Sequence, residues 1–127
     1  MNSSVLDTSA VLAFLDDEAG AEEVFRVMRF SSISTVNLAE VYSKLSERGD
    51  QGHKAFLAIR TAIGQIISFT EEQAEIAGAL RGPTKHAGLS LGDRACIALA
   101  ATLGAEIYTA DRIWADLDLP CKVHLIR

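Results

Sequence analysis

The chain has 127 residues, of which 49% are hydrophobic and only 6% aromatic, and its formal net charge is −5. A chain of this length forms one domain, here 1–127, and buries roughly two-thirds of its unfolded surface in an aliphatic core. The acidic balance disfavours a general nucleic-acid binder, which usually presents a basic face, and no stretch approaches the ~18 uncharged residues of a membrane span.

The spacing of apolar residues predicts the elements of the first half of the chain. In chain order these are strand 5–6, helix 9–15, helix 19–29, strand 31–35, helix 36–48 and helix 54–63. The acidic run Asp16-Asp17-Glu18 predicts a solvated loop between the first two helices. Gly49 is typical of the end of a helix and predicts the end of helix 36–48.

The second half continues with strand 66–69, helix 70–80, a polar loop over 82–88, helix 91–103, strand 106–109, helix 112–117 and strand 123–126. Thr70-Glu-Glu-Gln73 has the pattern of a capping box, and Gly82-Pro83 predicts the end of that helix. Helix 91–103 is apolar on nearly all sides, which predicts a central buried helix. Strands that alternate with helices predict an α/β fold with a mainly parallel sheet.

The N-terminus and the cysteines indicate the cellular compartment. The N-terminus lacks the basic segment of a signal peptide, and Asp7 interrupts the apolar stretch. Cys96 and Cys121 do not form a disulfide framework, and Cys96 lies in an apolar helical run where a buried thiol is expected. We therefore expect a protein of the reducing cytoplasm.

Four acidic residues, far apart in the sequence, each stand where an apolar run gives way to a predicted helix start. They are Asp7, Glu40, Asp93 and Asp111. The ends of strands in an open α/β sheet are where ligands bind. Carboxylates that gather there repel one another unless a positive charge joins them. Mg²⁺ or Mn²⁺ would supply that charge, because these ions prefer carboxylate and water ligands.

Each acid taken alone also has a structural explanation. Asn37-Leu-Ala-Glu40 and Ser90-Leu-Gly-Asp93 both resemble capping boxes, and Asp7 and Asp111 could favour the helices that follow them. Their shared placement makes a metal cluster the better account of all four. Arg94 and Arg112 directly follow acids of the set, so they point elsewhere on their helices. The three histidines match no zinc spacing; they are His53, His86 and His124.

The acids lie in four motifs that together resemble the PIN-domain ribonucleases. In order, they are Val5-Leu-Asp7-Thr-Ser9-Ala10, Asn37-Leu-Ala-Glu40-Val41, Leu91-Gly-Asp93-Arg-Ala-Cys-Ile-Ala and Tyr108-Thr109-Ala110-Asp111. One motif is weak evidence, but four in order over essentially the whole chain are strong. The compact size is most similar to the VapC toxins of toxin–antitoxin pairs.

The resemblance implies a three-layer α/β/α sandwich and metal-dependent cleavage of RNA. It implies that Asp7, Glu40, Asp93 and Asp111 form the acidic site, with Asp7 and Asp93 as the central ligands of Mg²⁺ or Mn²⁺. The Ser9 and Thr109 hydroxyls would support that site. Asp116 is either an additional acid of the site or a surface charge at a helix end. A bound ion would lower the pKa of a water that attacks the phosphodiester in line.

The resemblance also implies partners, namely RNA, a second copy of the chain, and a VapB-like antitoxin that inserts an Arg among the carboxylates. A homodimer is consistent with apolar residues beyond the needs of one core, such as Phe56, Leu57 and Ile63. Six residues are candidates for phosphate contacts, each otherwise a solvated surface charge; they are Lys44, Arg48, Lys85, His86, Arg94 and Arg112.

Two other functions compete with the nuclease. A phosphatase of the haloacid dehalogenase type also places an Asp after its first strand, but it requires a second Asp where Ser9 stands here. A non-catalytic binding module with a PIN-like fold is the main alternative, and the presence of all four acids argues against it. The sequence leaves the RNA substrate and the number of metal ions open.

Overall fold

A computed structural model describes residues 4–127 as five strands and seven α-helices, with two short 3₁₀ helices. The strands are β1 Ser4–Leu6, β2 Ser31–Ser34, β3 Gln65–Ile67, β4 Glu106–Thr109 and β5 Val123–Leu125. The helices are α1 Thr8–Leu15, α2 Ala21–Met28, α3 Thr35–Ser46, α4 Gly49–Ala62, α5 Glu71–Ala79, α6 Arg81–Thr84 and α7 Leu91–Leu103. The 3₁₀ helices are Lys85–Ala87 and Arg112–Asp116. Residues 1–3, which belong to the predicted domain and to the argument against a signal peptide, lie outside the described residues.

The five strands form one parallel sheet in the order β3-β2-β1-β4-β5. The first three strands extend the sheet in one direction, and the chain then returns to add β4 and β5 on the other side of β1. The order therefore reverses between β1 and β4, where Leu6 is paired with Tyr108. Ligands of open α/β sheets bind beyond the carboxyl ends of the strands at such a reversal.

Two hydrophobic cores lie on opposite faces of this sheet. Successive residues of a strand point to opposite faces, and Leu6 accordingly packs among residues of α1 to α4 while Val5 packs against α7. Helix α7 is buried along most of its length, as its apolar sequence predicts. The predicted three-layer α/β/α sandwich with a parallel sheet is confirmed. Within residues 4–127, no helix has both the length and the apolar character that a membrane crossing requires.

The fourth helix begins five residues earlier than predicted. Gly49 follows the end of α3 but is already the first residue of α4, with a positive φ of 67°. A Cβ on Gly52 would lie 1.8 Å from the carbonyl oxygen of Leu45, so α4 crosses α3 at a distance that only glycine permits. The two glycines obscure the apolar spacing at the start of α4 because they add no side chain to it.

Three further expectations from the sequence are wrong. The polar loop over 82–88 contains α6 and a 3₁₀ turn, because Pro83 lies in the first turn of α6, where its missing N–H is tolerated. Asn37 is not a helix N-cap, because α3 begins earlier and Ser34 caps it by accepting a hydrogen bond from Val36 N. Ile63 belongs to the core and is only 4% exposed, so it is not a surplus apolar residue.

Candidate active site

The four predicted acids lie at the carboxyl edge of the sheet, around the reversal between β1 and β4. Asp7 directly follows β1 at the N-cap position of α1, and Asp111 follows β4 by two residues. Glu40 projects from the second turn of α3, and Asp93 stands in the first turn of α7. Parallel strands with right-handed crossovers bring these helix starts to one edge, so residues 104 positions apart in the chain meet there.

Asp7 is the most deeply buried of the four, with 4% of its surface exposed. Two hydroxyls donate to its Oδ2, Ser9 Oγ at 2.6 Å and Thr109 Oγ1 at 2.8 Å. Burial raises the pKa of Asp7 to about 6, these hydrogen bonds oppose the rise, and the negative charge of Asp93 adds to it. The structure therefore brings both predicted supporting hydroxyls onto Asp7 and leaves its carboxylate costly to ionise.

Glu40 is held from two other elements. Its Oε1 accepts hydrogen bonds from Thr8 Oγ1 at 2.6 Å and from Asn37 Nδ2 at 3.0 Å. Its Oε2 lies against the backbone of Gly92, where a Cβ would stand only 2.2 Å from that oxygen. The position of the Glu40 carboxylate thus depends on α1 and α7 as well as on its own helix.

Asp93 and Asp111 act as helix caps within the same site. Asp93 Oδ2 accepts from Ser90 N at 2.9 Å and Ser90 Oγ accepts from Asp93 N at 3.1 Å, which completes the predicted capping box. Asp111 Oδ1 accepts from Ile113 N at 3.1 Å. Burial raises the pKa of Asp93, its bonds to Ser90 oppose the rise, and the charges of Glu40 and Asp111 add to it. Capping therefore orients these acids and coexists with their clustering.

Within residues 4–127, no positive side chain neutralises the four acids. Arg94 donates to the carbonyl of Ala77 at 2.9 Å, and Arg112 donates to the carbonyl of Arg127 at 2.8 Å, so both point away as predicted. The ion pairs of this part of the chain involve other acids; they are Arg48–Asp16, His124–Glu23 and Arg127–Glu18. The site thus combines hard oxygen donors with negative charge that no cation of residues 4–127 balances.

The donor set fits a hard divalent cation better than a soft one. In the described part of the chain, no group of three or more Asp, Glu, His or Cys side chains is arranged to hold a metal ion by itself. Mg²⁺ does not require such an arrangement, because it usually keeps several waters and takes one or two carboxylates.

Comparisons with known proteins agree with this geometry. The family model of the PIN domain matches residues 4–119, which is most of the chain. The chain belongs to the PIN-domain family. No curated protein sequence matched it.

Several solved structures share the fold of this PIN domain. A toxin–antitoxin complex from Klebsiella pneumoniae has a TM-score of 0.79 at 21% identity, covering 98% of both chains. VapBC2 from Rickettsia felis, solved with promoter DNA, has a TM-score of 0.77 at 17% identity, covering 96% of this chain and 97% of that one. VapC20 from Mycobacterium tuberculosis, a sarcin-ricin loop cleaving toxin, has a TM-score of 0.72 at 19% identity, with coverages of 90% and 94%. Identities this low establish a shared fold.

One predicted residue of the PIN domain makes no hydrogen bond to the four acids within residues 4–127. This residue, Asp116, is exposed at the end of a 3₁₀ helix.

Three other residues contact the acids but were not predicted as parts of the site. The sequence assigned no part in it to Thr8 or Gly92, and it indicated Asn37 only as a helix cap. The spacing of Asn37 and Glu40 could have indicated a contact between them, since residues three apart share a helix face.

Proposed function

We propose that this PIN domain is a metal-dependent endoribonuclease and the toxin of a toxin–antitoxin pair. One observation carries the proposal. Asp7, Glu40, Asp93 and Asp111 converge at the carboxyl edge of the sheet, and no Lys, Arg or His of residues 4–127 pairs with them. Partly or fully buried carboxylates without a cationic partner are a candidate functional site on physical grounds alone, and Mg²⁺ or Mn²⁺ is the cofactor that fits them.

The hydrogen bonds of the site suggest what each carboxylate does. They include bonds to Asp7 Oδ2, Glu40 Oε1, Asp93 Oδ2 and Asp111 Oδ1. Asp7 and Asp93 would be the central ligands, while Glu40 and Asp111 would bind the ion directly or orient the attacking water. A bound divalent ion supplies a nucleophile at neutral pH and stabilises negative charge on the phosphate.

RNA is the substrate class that we propose. One structure of the same fold is a sarcin-ricin loop cleaving toxin, which supports cleavage of a folded nucleic-acid loop here. The net charge of −5 argues that phosphate contacts are local rather than spread over a basic face. Recognition would then depend on unstacked bases near the four acids, as is usual for RNA loops.

A metal-titrated cleavage assay on total cellular RNA tests the nuclease. We expect cleavage that requires Mg²⁺ or Mn²⁺ and falls by at least ~100-fold in Asp7→Ala, since a metal ligand contributes several kcal/mol to the transition state. Asp118→Ala removes an exposed acid and serves as the matched control. Asp116→Ala decides whether Asp116 contributes. Absence of cleavage at any metal concentration would leave the non-catalytic binding module as the better reading.

We propose that an antitoxin covers the acidic site, inserting an Arg among the carboxylates, and also covers an apolar surface on α2. Phe25 is 67% exposed and borders two adjoining hollows, one beside Phe14 and Ala21 and the other beside Phe30 and Ala62. An apolar helix face would bury these rings. Phe25→Ser should weaken co-purification with the product of the neighbouring reading frame without changing RNA cleavage. Loss of both properties together would indicate misfolding instead.

A homodimer is the remaining partner that we propose. Of the apolar residues predicted to exceed one core, Leu57 is 39% exposed, and Phe56 is partly buried against the first core. Light scattering at micromolar concentration should give twice the mass of the chain, and Leu57→Glu should lower it. A monomeric mass for the wild-type protein would count against the dimer.

A further inference from the structure

The Asn37 side chain joins three elements of the site while remaining fully buried. Its Nδ2 lies 3.0 Å from Glu40 Oε1, 3.0 Å from the carbonyl oxygen of Gly92 and 3.3 Å from Thr8 Oγ1. Glu40 Oε1 and the Gly92 carbonyl can only accept hydrogen bonds, which fixes the orientation of the amide. The amide therefore ties α3 to the first turn of α7, across 55 residues of sequence.

This arrangement holds Glu40 from both sides. The Asn37 amide and the Thr8 hydroxyl fix Oε1, and the bare Cα of Gly92 leaves space for Oε2. Gly92 directly precedes Asp93, so the amide that holds Glu40 also holds the backbone beside Asp93. The relative position of the two carboxylates thus depends on one side chain.

Burying the Asn37 amide has a free-energy cost that a residue serving only to fill the core would avoid. Its Oδ1 is buried and has no hydrogen-bond partner within residues 4–127. An apolar residue of similar size would avoid that cost. Helix capping does not explain the amide either, because Ser34 already caps α3.

We propose that Asn37 is a positioning residue that sets the geometry of Glu40 relative to Asp93 and thereby the affinity of the site for a divalent cation. The inference rests on the proposed metal-dependent function. Asn37 touches neither RNA nor the cation, since it is fully buried; it acts through Glu40 and the Gly92 backbone. Groups that orient the ligands of a metal commonly change its affinity by roughly 10- to 100-fold when removed.

Mn²⁺ binding, measured by electron paramagnetic resonance on the full chain without RNA, tests this role. We expect Asn37→Ala to weaken Mn²⁺ binding by about 10-fold or more. Asn37→Ser keeps one donor and should lie between Asn37→Ala and wild type, and it remains informative if the alanine variant does not fold. Gln73→Ala removes another buried amide, on α5, and is the matched control: its thermal stability should fall while its Mn²⁺ affinity stays that of wild type.

A double-mutant cycle separates positioning from general destabilisation. In a Glu40→Ala background, Asn37→Ala should change Mn²⁺ affinity by less than about 2-fold, because its main target is gone. An equal loss of affinity in both backgrounds, or unchanged affinity in folded Asn37→Ala and Asn37→Ser, would overturn the positioning role while leaving the nuclease proposal intact. Wild-type protein that binds no Mn²⁺ would overturn both proposals.

Discussion

At the scale of single residues, the burial of Asp7 opposes the charge that its proposed function requires. Its pKa is raised from 3.8 to about 6, mainly by burial, although two hydroxyls donate to it. Between about pH 4 and 6, the folded state therefore binds more protons at this position than the unfolded state. The free energy of unfolding falls as the pH rises through that window. Above it, the buried Asp7 charge destabilises the folded state by its full amount.

Asp7→Asn should stabilise the metal-free protein near pH 7 while removing its cleavage activity. A shift of this size corresponds to about 3 kcal/mol at most, and an amide avoids the buried charge. Urea unfolding with a chelator present measures the difference, which should disappear near pH 4, where the wild-type carboxyl is protonated. Asp118→Asn is the control. A less stable Asp7→Asn protein would show that the hydroxyls compensate the burial fully.

Thr109→Val should shift the acid side of the activity profile to higher pH. The substitution keeps the volume but removes the hydroxyl that donates to Asp7 Oδ2 at 2.8 Å and lowers its pKa. More of the Asp7 carboxyl would then be protonated at a given pH. Mn²⁺-dependent RNA cleavage across pH measures the effect, and Thr109→Ser should behave like wild type because it retains the donor. If the pH profile of cleavage is the same in the valine variant as in wild type, the titration of Asp7 does not set the acid side of that profile.

At the scale of elements, the start of α7 places beside Glu40 both the Asp93 carboxyl group and the space left by the missing side chain of Gly92. The capping box of Ser90 and Asp93 orients the first turn, and Gly92 lets Glu40 approach the helix backbone. The capping pattern was readable from the sequence because it is local. The role of Gly92 was not, because it depends on a side chain from α3.

Gly92→Ala should weaken cleavage and Mn²⁺ binding by roughly 10-fold or more, because the new Cβ would stand 2.2 Å from Glu40 Oε2 and displace it. Gly78→Ala is the matched control, since Gly78 is also helical but nothing outside its own helix backbone lies within 4 Å of the added Cβ. It should raise stability by roughly 0.5–1 kcal/mol and leave activity unchanged. Equal activity of the two variants would mean that the position of Glu40 does not matter.

At the scale of the whole molecule, the sheet reversal concentrates negative charge at one edge of an already acidic protein. The charge there is unbalanced within residues 4–127, so a bound cation should stabilise the native fold more than the unfolded chain. At a free Mn²⁺ concentration of about 100 times its dissociation constant, linkage predicts about 2.7 kcal/mol. Thermal unfolding with and without a chelator measures this gain. It should be absent in Asp7→Asn, and an unchanged melting temperature in the wild type would contradict a folded-state metal site.

The amino-acid sequence alone predicts the α/β class, the order of strands and helices, and the meeting of four acids at one edge of the sheet, and the family resemblance adds the Ser9 and Thr109 hydroxyls. These features rest on local signals: apolar spacing, capping patterns and motifs a few residues long. Only the tertiary structure showed that α4 begins at Gly49, that Ile63 is core, and that Asn37 reaches the Gly92 carbonyl. These features depend on how closely two helices pack, and that distance is set by contacts between residues far apart in the chain. No local pattern records such a distance, so the acids were predictable and the amide that holds one of them was not.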